Sequence, residues 1–202
     1  MRAEELLTAR DHVLVAFDGP VAELPATSPG AERLRVMVSG GRLPRKVAHT
    51  SDPFVVLSHA ATIGPATEKA VYTQLCRLER EMVAGAAAAP GVFEAFATLA
   101  AAGTQVTVVS GLDTAAVRMF LVLYGLDEHV RHIAGRTGPD RKVLPPAPDL
   151  ITRAVHERAM TSCVFVGSTV ADLAAGRAAG IEIVRHRWEP QWFDGLSEPA
   201  AK

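Results

Sequence analysis

The spacing of apolar positions along this chain changes several times, and each change marks an element. His12 to Phe17 (HVLVAF) is a largely β-branched apolar run stopped by Asp18-Gly19-Pro20, which predicts a buried first strand ending in a turn. Ser51-Asp52-Pro53 offers a cap followed by proline at a first helical position, so a helix is expected from there through Phe54, Val56, Leu57 and Ala60. From Ala66 to about Ala87, residues Val71, Leu75, Leu78 and Met82 recur every three or four positions, a helical stripe that runs out into small residues. Beyond Pro90-Gly91 helix and strand alternate. A helix carrying Val92, Phe93, Phe96 and Leu99 stops at Gly103, and a strand follows over Thr104 to Val109. Asp113 is the expected cap of a helix with Val117, Phe120, Leu121 and Tyr124 on one face, closed by Gly125. Then come a strand at Arg131 to Ala134, a proline-rich loop over 137–148, a helix over 149–160 and a strand at Cys163 to Val166. A helix from Val170 to Ala179, closed by Gly180, and a strand at Ile181 to Val184 complete the pattern.

Strands alternating with helices predict an α/β fold of Rossmann-like type, a parallel sheet covered by helices on both faces. Residues 1–20 and 89–202 make its core, and 21–88 form a small helical insert, or cap. With 202 residues, 49% of them apolar and 21% charged, the chain suits one such domain. The net charge of −1 and the lack of a long basic run give no footprint for nucleic acid. No apolar stretch approaches a membrane span, and MRAEELLTAR lacks the apolar region of a signal peptide, so a soluble cytoplasmic protein is expected. Cys76 and Cys163 sit in apolar surroundings without C-x-x-C spacing and read as buried structural thiols. His49, His59, His129, His132, His156 and His186 show no metal-binding pairing. The tail Arg185 to Phe193 (RHRWEPQWF) holds both tryptophans. Packing back onto the domain is its plainer role, and an interface for a protein partner or for self-association is the other.

In open parallel sheets ligands bind outside the carboxyl ends of the strands. The residues there form a pattern: Val-Ala-Phe-Asp-Gly-Pro at 15–20, Val-Val-Ser-Gly at 108–111, Leu-Pro-Pro-Ala-Pro-Asp-Leu at 144–150, and Val-Phe-Val-Gly-Ser-Thr-Val-Ala-Asp at 164–172. In order and spacing these resemble the four motifs of the haloacid dehalogenase superfamily, in its capped, phosphatase-like branch. The resemblance spans about residues 12–184 and implies that fold, with the 21–88 insert in place of the family's helical cap.

It also implies chemistry that this chain cannot fully carry. Family members attack phosphorus with a motif-one aspartate; Ala16 stands there. The motif-three lysine aligns with Pro145, and the motif-four aspartate that binds Mg²⁺ aligns with Ser168. Magnesium wants hard oxygen ligands, usually including one or two carboxylates, so no metal and no other cofactor is expected. Three coordinated losses point to natural divergence, away from a conventional magnesium-dependent phosphatase. What survives is Asp18 at the family's acid/base position, where it either transfers protons or organises the Gly19-Pro20 turn. Ser110 with the Gly111 amide, and Ser168 with Thr169, match pocket-facing positions that bind an oxyanion or polar ligand, but such residues also cap helices. Asp172 matches the last motif-four carboxylate or simply favours a helix N-terminus. Lys142 either stands in for the lost lysine, beside Arg141 with its phosphate-suited fork, or is a solvated loop cation.

The first functional expectation is therefore a repurposed, metal-independent enzyme that acts on a small metabolite, bound in the cleft between core and cap, by acid/base chemistry through Asp18. A non-catalytic pseudoenzyme that binds a ligand or a protein partner is the alternative, and a weak noncanonical phosphatase a third.

Overall fold

The computed structural model describes residues 3–25, 30–155 and 162–197. Its centre is a six-stranded sheet in the order β5-β4-β1-β6-β7-β8. Strand β1 (His12–Ala16) lies between β4 (Gln105–Asp113) and β6 (Cys163–Gly167), and pairs with both in parallel. Strands β5 (Val130–Arg136) and β7 (Glu182–His186) extend the parallel sheet on either side. The short edge strand β8 (Leu196–Ser197) of this sheet runs antiparallel to β7.

The continuous apolar run of β1 follows from burial on both faces, because successive side chains of a strand point to opposite sides. Val13, Val15 and Phe17 enter one hydrophobic cluster with Phe96, Phe120 and Trp192. Leu14 and Ala16 enter another with Phe165, Ile151 and Val155. Helices α1 (Ala3–Thr8), α6 (Val92–Ala101), α7 (Thr114–Leu123), α8 (Asp149–Val155) and α9 (Val170–Ala178) flank the sheet. The last part of the helix expected over 149–160, with His156, lies outside the described residues.

Between β1 and α6 the chain forms helices α2 (Gly30–Val38), α3 (Arg45–Ala48), α4 (Pro53–Ile63) and α5 (Pro65–Ala84) around a hydrophobic cluster of their own, with Leu34, Leu57, Val71 and Leu75. A two-stranded ribbon of β2 (Ala22–Glu23) and β3 (Ala87–Ala88) pairs the two ends of this segment. The cap expected at Asp52 is present, its carboxylate accepting from the Phe54 amide with Pro53 at the first helical position. Another proline in the same position, Pro65 after Gly64, separates α4 from α5.

Two expectations need correction. The strand expected to stop at Val109 continues to Asp113, and the one expected to stop at Ala134 continues to Arg136, because Asp113 and Arg136 pair after an irregularity in register. Asp113 does precede α7, but its side chain makes no capping bond; the carboxylate is drawn instead to Arg80, at 3.4 Å. Both cysteines are buried thiols, as expected. Among the described residues no helix is long and apolar enough to cross a membrane.

Candidate functional site

The site is built where β1 and β6 end side by side. Ala16 closes β1 with its methyl group in the apolar cluster, 3% exposed. The Phe17 amide still donates to Val109 O, and the chain then turns through Asp18-Gly19-Pro20, where the Gly19 amide donates to Ala22 O at 2.8 Å. Gly19 adopts φ 94°, a left-handed conformation that favours glycine. A Cβ added there would stand 2.4 Å from Ser168 Oγ, so glycine is needed on steric grounds as well.

Three successive carbonyls of this turn each accept a side-chain hydrogen bond. Ser168 Oγ donates to Asp18 O at 2.8 Å, Trp188 Nε1 to Gly19 O at 2.8 Å, and Trp192 Nε1 to Pro20 O at 2.7 Å. The aromatic tail therefore folds back onto the turn after β1, the plainer of its two expected roles. Trp192 is 1% exposed, whereas Trp188 keeps 38% of its surface.

The other candidate residues divide into two groups. Thr169 and Asp172 form a capping box at the start of α9: Asp172 N donates to Thr169 Oγ1 at 3.0 Å, and Thr169 N to Asp172 Oδ2 at 2.9 Å. The Ser168 amide also reaches Asp172 Oδ2, at 3.3 Å. Asp18, Gly19, Ser168, Thr169 and Asp172 are thus one connected cluster. Ser110 is buried within β4 and not at its end, and its Oγ accepts from the Leu112 amide at 3.1 Å. Gly111 gives its carbonyl to Arg136 Nε at 3.0 Å. Lys142 is exposed on a 3₁₀ turn over Arg141–Val143, its backbone amide bonded to Asp140 Oδ1 at 2.8 Å. Among the described residues no hydrogen bond or ion pair ties its amine to the cluster.

The Asp18 residue is exposed as a whole, yet its carboxyl lies on partly desolvated ground, and this raises its pKa above the ordinary range. A hydrogen bond from the Leu24 backbone opposes the rise, and the negative charge of Asp172 adds to it.

Arg136 and Glu79 are the residues that sequence reasoning missed. Arg136, at the close of β5, is 0% exposed and bonds both oxygens of Glu79 on α5 at 2.5 Å. Its guanidinium also lies 5.3 Å from the Phe54 ring centre and 5.0 Å from that of Tyr72. Glu79 takes the Asp113 amide as well, at 3.0 Å. With Arg80–Asp113 and Arg141–Asp52, this makes three ion pairs between the helical insert and the strand ends or the loop beyond β5. The signal was faint but present: Glu79 is in phase with Val71 and Leu75 on the buried stripe of α5.

Two cavities stand apart from this cluster. One of about 1060 Å³ lies along α8, toward the strand beginnings, with His12, Thr107 and His132 in its wall. The other, about 400 Å³, is on the helical insert beside Met37, His59 and Ile63. Neither is lined by Asp18, Ser110 or Ser168.

A magnesium ion does not fit the residues present. It demands near-ideal octahedral oxygen coordination at about 2.0–2.1 Å. Here Ala16 offers a methyl group in place of a carboxylate, Ser168 offers a neutral hydroxyl held against Asp18 O, and one oxygen of the Asp172 carboxylate is taken by two backbone amides. Among the described residues no group of three or more His, Cys, Asp or Glu side chains is placed to hold a metal.

Over residues 60–185 the sequence matches the haloacid dehalogenase-like hydrolases. That match includes Ser110, Pro145, Ser168 and Asp172 and begins after the turn at Asp18. No curated protein matches the chain. Among solved structures it is similar to CbbY from Rhodobacter sphaeroides in complex with phosphate, at 16% identity and TM-score 0.64, covering 90% of this chain and 88% of that one. It is similar also to a HAD-superfamily hydrolase of subfamily IA, variant 1, from Geobacter sulfurreducens PCA, at 22% identity and TM-score 0.55, covering 88% and 87%. A predicted phosphoglycolate phosphatase from Haemophilus somnus 129pt matches at 17% identity and TM-score 0.62, covering 91% and 88%. At these identities the likeness establishes the fold.

Proposed function

This chain belongs to the haloacid dehalogenase-like hydrolase family, and we propose that it keeps the family scaffold without aspartyl-phosphate chemistry, as a non-catalytic domain that binds a ligand or a protein partner. The observation that carries this reading is the hydrogen bond from Ser168 Oγ to Asp18 O. It joins the loops after β1 and β6 across the place where the family's metal carboxylate would stand, beside a buried methyl group in place of the nucleophile. Six of the eight candidate site residues are accounted for by internal structure: Ser168 bonds Asp18 O, Ser110 and Gly111 hold backbone or Arg136, Thr169 and Asp172 cap α9, and Gly19 makes room for Ser168.

In this reading residues 21–88 are a cap held against the core by the Arg136–Glu79 pair, and the ligand meets the boundary between them. For a protein partner, Trp188 is the tryptophan of the tail that still presents surface. A cytoplasmic setting is part of the proposal, and two buried cysteine thiols suit a reducing compartment. Titration calorimetry of the intact chain with Mg²⁺, alongside phosphate release from a broad panel of phosphoesters, tests the reading. No heat of binding and no release are expected; turnover that depends on Mg²⁺ would overturn it.

One observation favours a second reading, a repurposed enzyme: the raised pKa of Asp18 suits an acid/base group. Under that reading, Asp18→Asn abolishes turnover of a metabolite that the native chain converts. Under the first, ligand or partner binding survives the substitution.

A further inference from the structure

Helix α7 is apolar on two faces. Ala116, Val117, Phe120 and Leu121 face the core. On the opposite side Ala115, Met119, Val122 and Leu123 are exposed, Met119 by 36%, Val122 by 58% and Leu123 by 61%. Spacings of three, four and seven make these an outer stripe. At the end of the helix Phe93, 45% exposed, extends the patch; its ring stands against His129 with centroids 5.4 Å apart. A surface helix ordinarily turns polar residues outward, and an exposed contiguous apolar patch of this kind marks an association surface.

We infer that this face is the interface of a homodimer, with a second copy of the chain as its occupant. The charges around the stripe argue for a copy of the same chain. Arg118 precedes Val122 and Leu123, while Asp127 and Glu128 follow them, and all three are exposed without an ion pair among the described residues. A two-fold axis through Val122 and Leu123 brings two α7 helices together antiparallel. Each Arg118 then meets the partner's acidic turn, as the same patch on both subunits requires. This inference does not depend on how the site at Asp18 is read.

Sedimentation velocity of the full chain over a concentration series tests it. A reversible dimer is expected, converted to monomer by Val122→Glu, whose thermal unfolding midpoint equals that of the native chain at a concentration where the native chain is monomeric. Arg118→Glu weakens the dimer by roughly tenfold, and adding Asp127→Arg restores it. A monomer at every concentration, a dimer indifferent to Val122→Glu, or a charge swap that fails to restore association overturns the inference.

Discussion

Gly19 and His186 carry two of the sharpest single-residue consequences. At Gly19 a left-handed φ and a Cβ position 2.4 Å from Ser168 Oγ act together. Gly19→Ala is expected to destabilise by about 2–4 kcal/mol, from backbone strain plus a displaced hydroxyl, read as a lower urea midpoint. Gly19→Ala at wild-type stability would mean that the turn is not held as described. His186 ends β7, 2% exposed, with neither ring nitrogen hydrogen-bonded among the described residues and its ring 5.1 Å from that of Trp192. Burial lowers its pKa from 6.5 to about 4. Between those values the unfolded chain binds more protons than the folded one, so stability rises with pH across that window. The contribution is intact above pH 6.5 and is lost as pH falls toward 4, by on the order of 3 kcal/mol in all. His186→Phe should flatten the dependence of the urea midpoint on pH between 4 and 6.5; an unchanged slope would assign it to other groups.

At the level of elements, the bond between α5 and the end of β5 concentrates the energetics. A buried ion pair is weak evidence for stability, but removing one partner strands the other charge. Glu79→Ala should therefore cost about 3–5 kcal/mol, and the paired replacement Glu79→Leu with Arg136→Met much less. Equilibrium unfolding of the three proteins gives the comparison, and a double variant as unstable as the single would refute the account of Arg136 as a cation held by this one carboxylate. The same elements mark where sequence reasoning stopped short. The centre of the sheet was legible, since β1 and β6 are uninterrupted apolar runs and Gly103, Gly125 and Gly180 end their helices with positive φ. The extensions of β4 to Asp113 and β5 to Arg136 were not, because polar residues at the strand ends are satisfied by partners from α5, remote in sequence. Of the candidate site residues, sequence order brought Asp18, Gly19, Ser168, Thr169 and Asp172 to one place. Helix capping by Thr169 and Asp172 and a tail packed back on the domain were both among the expectations; the bond from Ser168 to Asp18 O, and the turn after β1 as the place where Trp188 and Trp192 dock, were not.

For the molecule as a whole, the family scaffold and the local chemistry point in different directions. The sheet order and the helices on both faces belong to the haloacid dehalogenase-like hydrolases. A fold does not dictate a reaction; the groups at the site do. On the proposed reading, Ala16, Pro145 and Ser168 replace the groups that would attack phosphorus, hold the phosphate and bind the metal; Ser168 instead serves as a strut between two loops. The most direct test is phosphate release, with Mg²⁺ present, by the native chain and by Ala16→Asp/Pro145→Lys/Ser168→Asp, over the same panel of phosphoesters. No release by the native chain, with release gained by the restored variant, is the predicted result. Efficient release by the native chain would contradict the account.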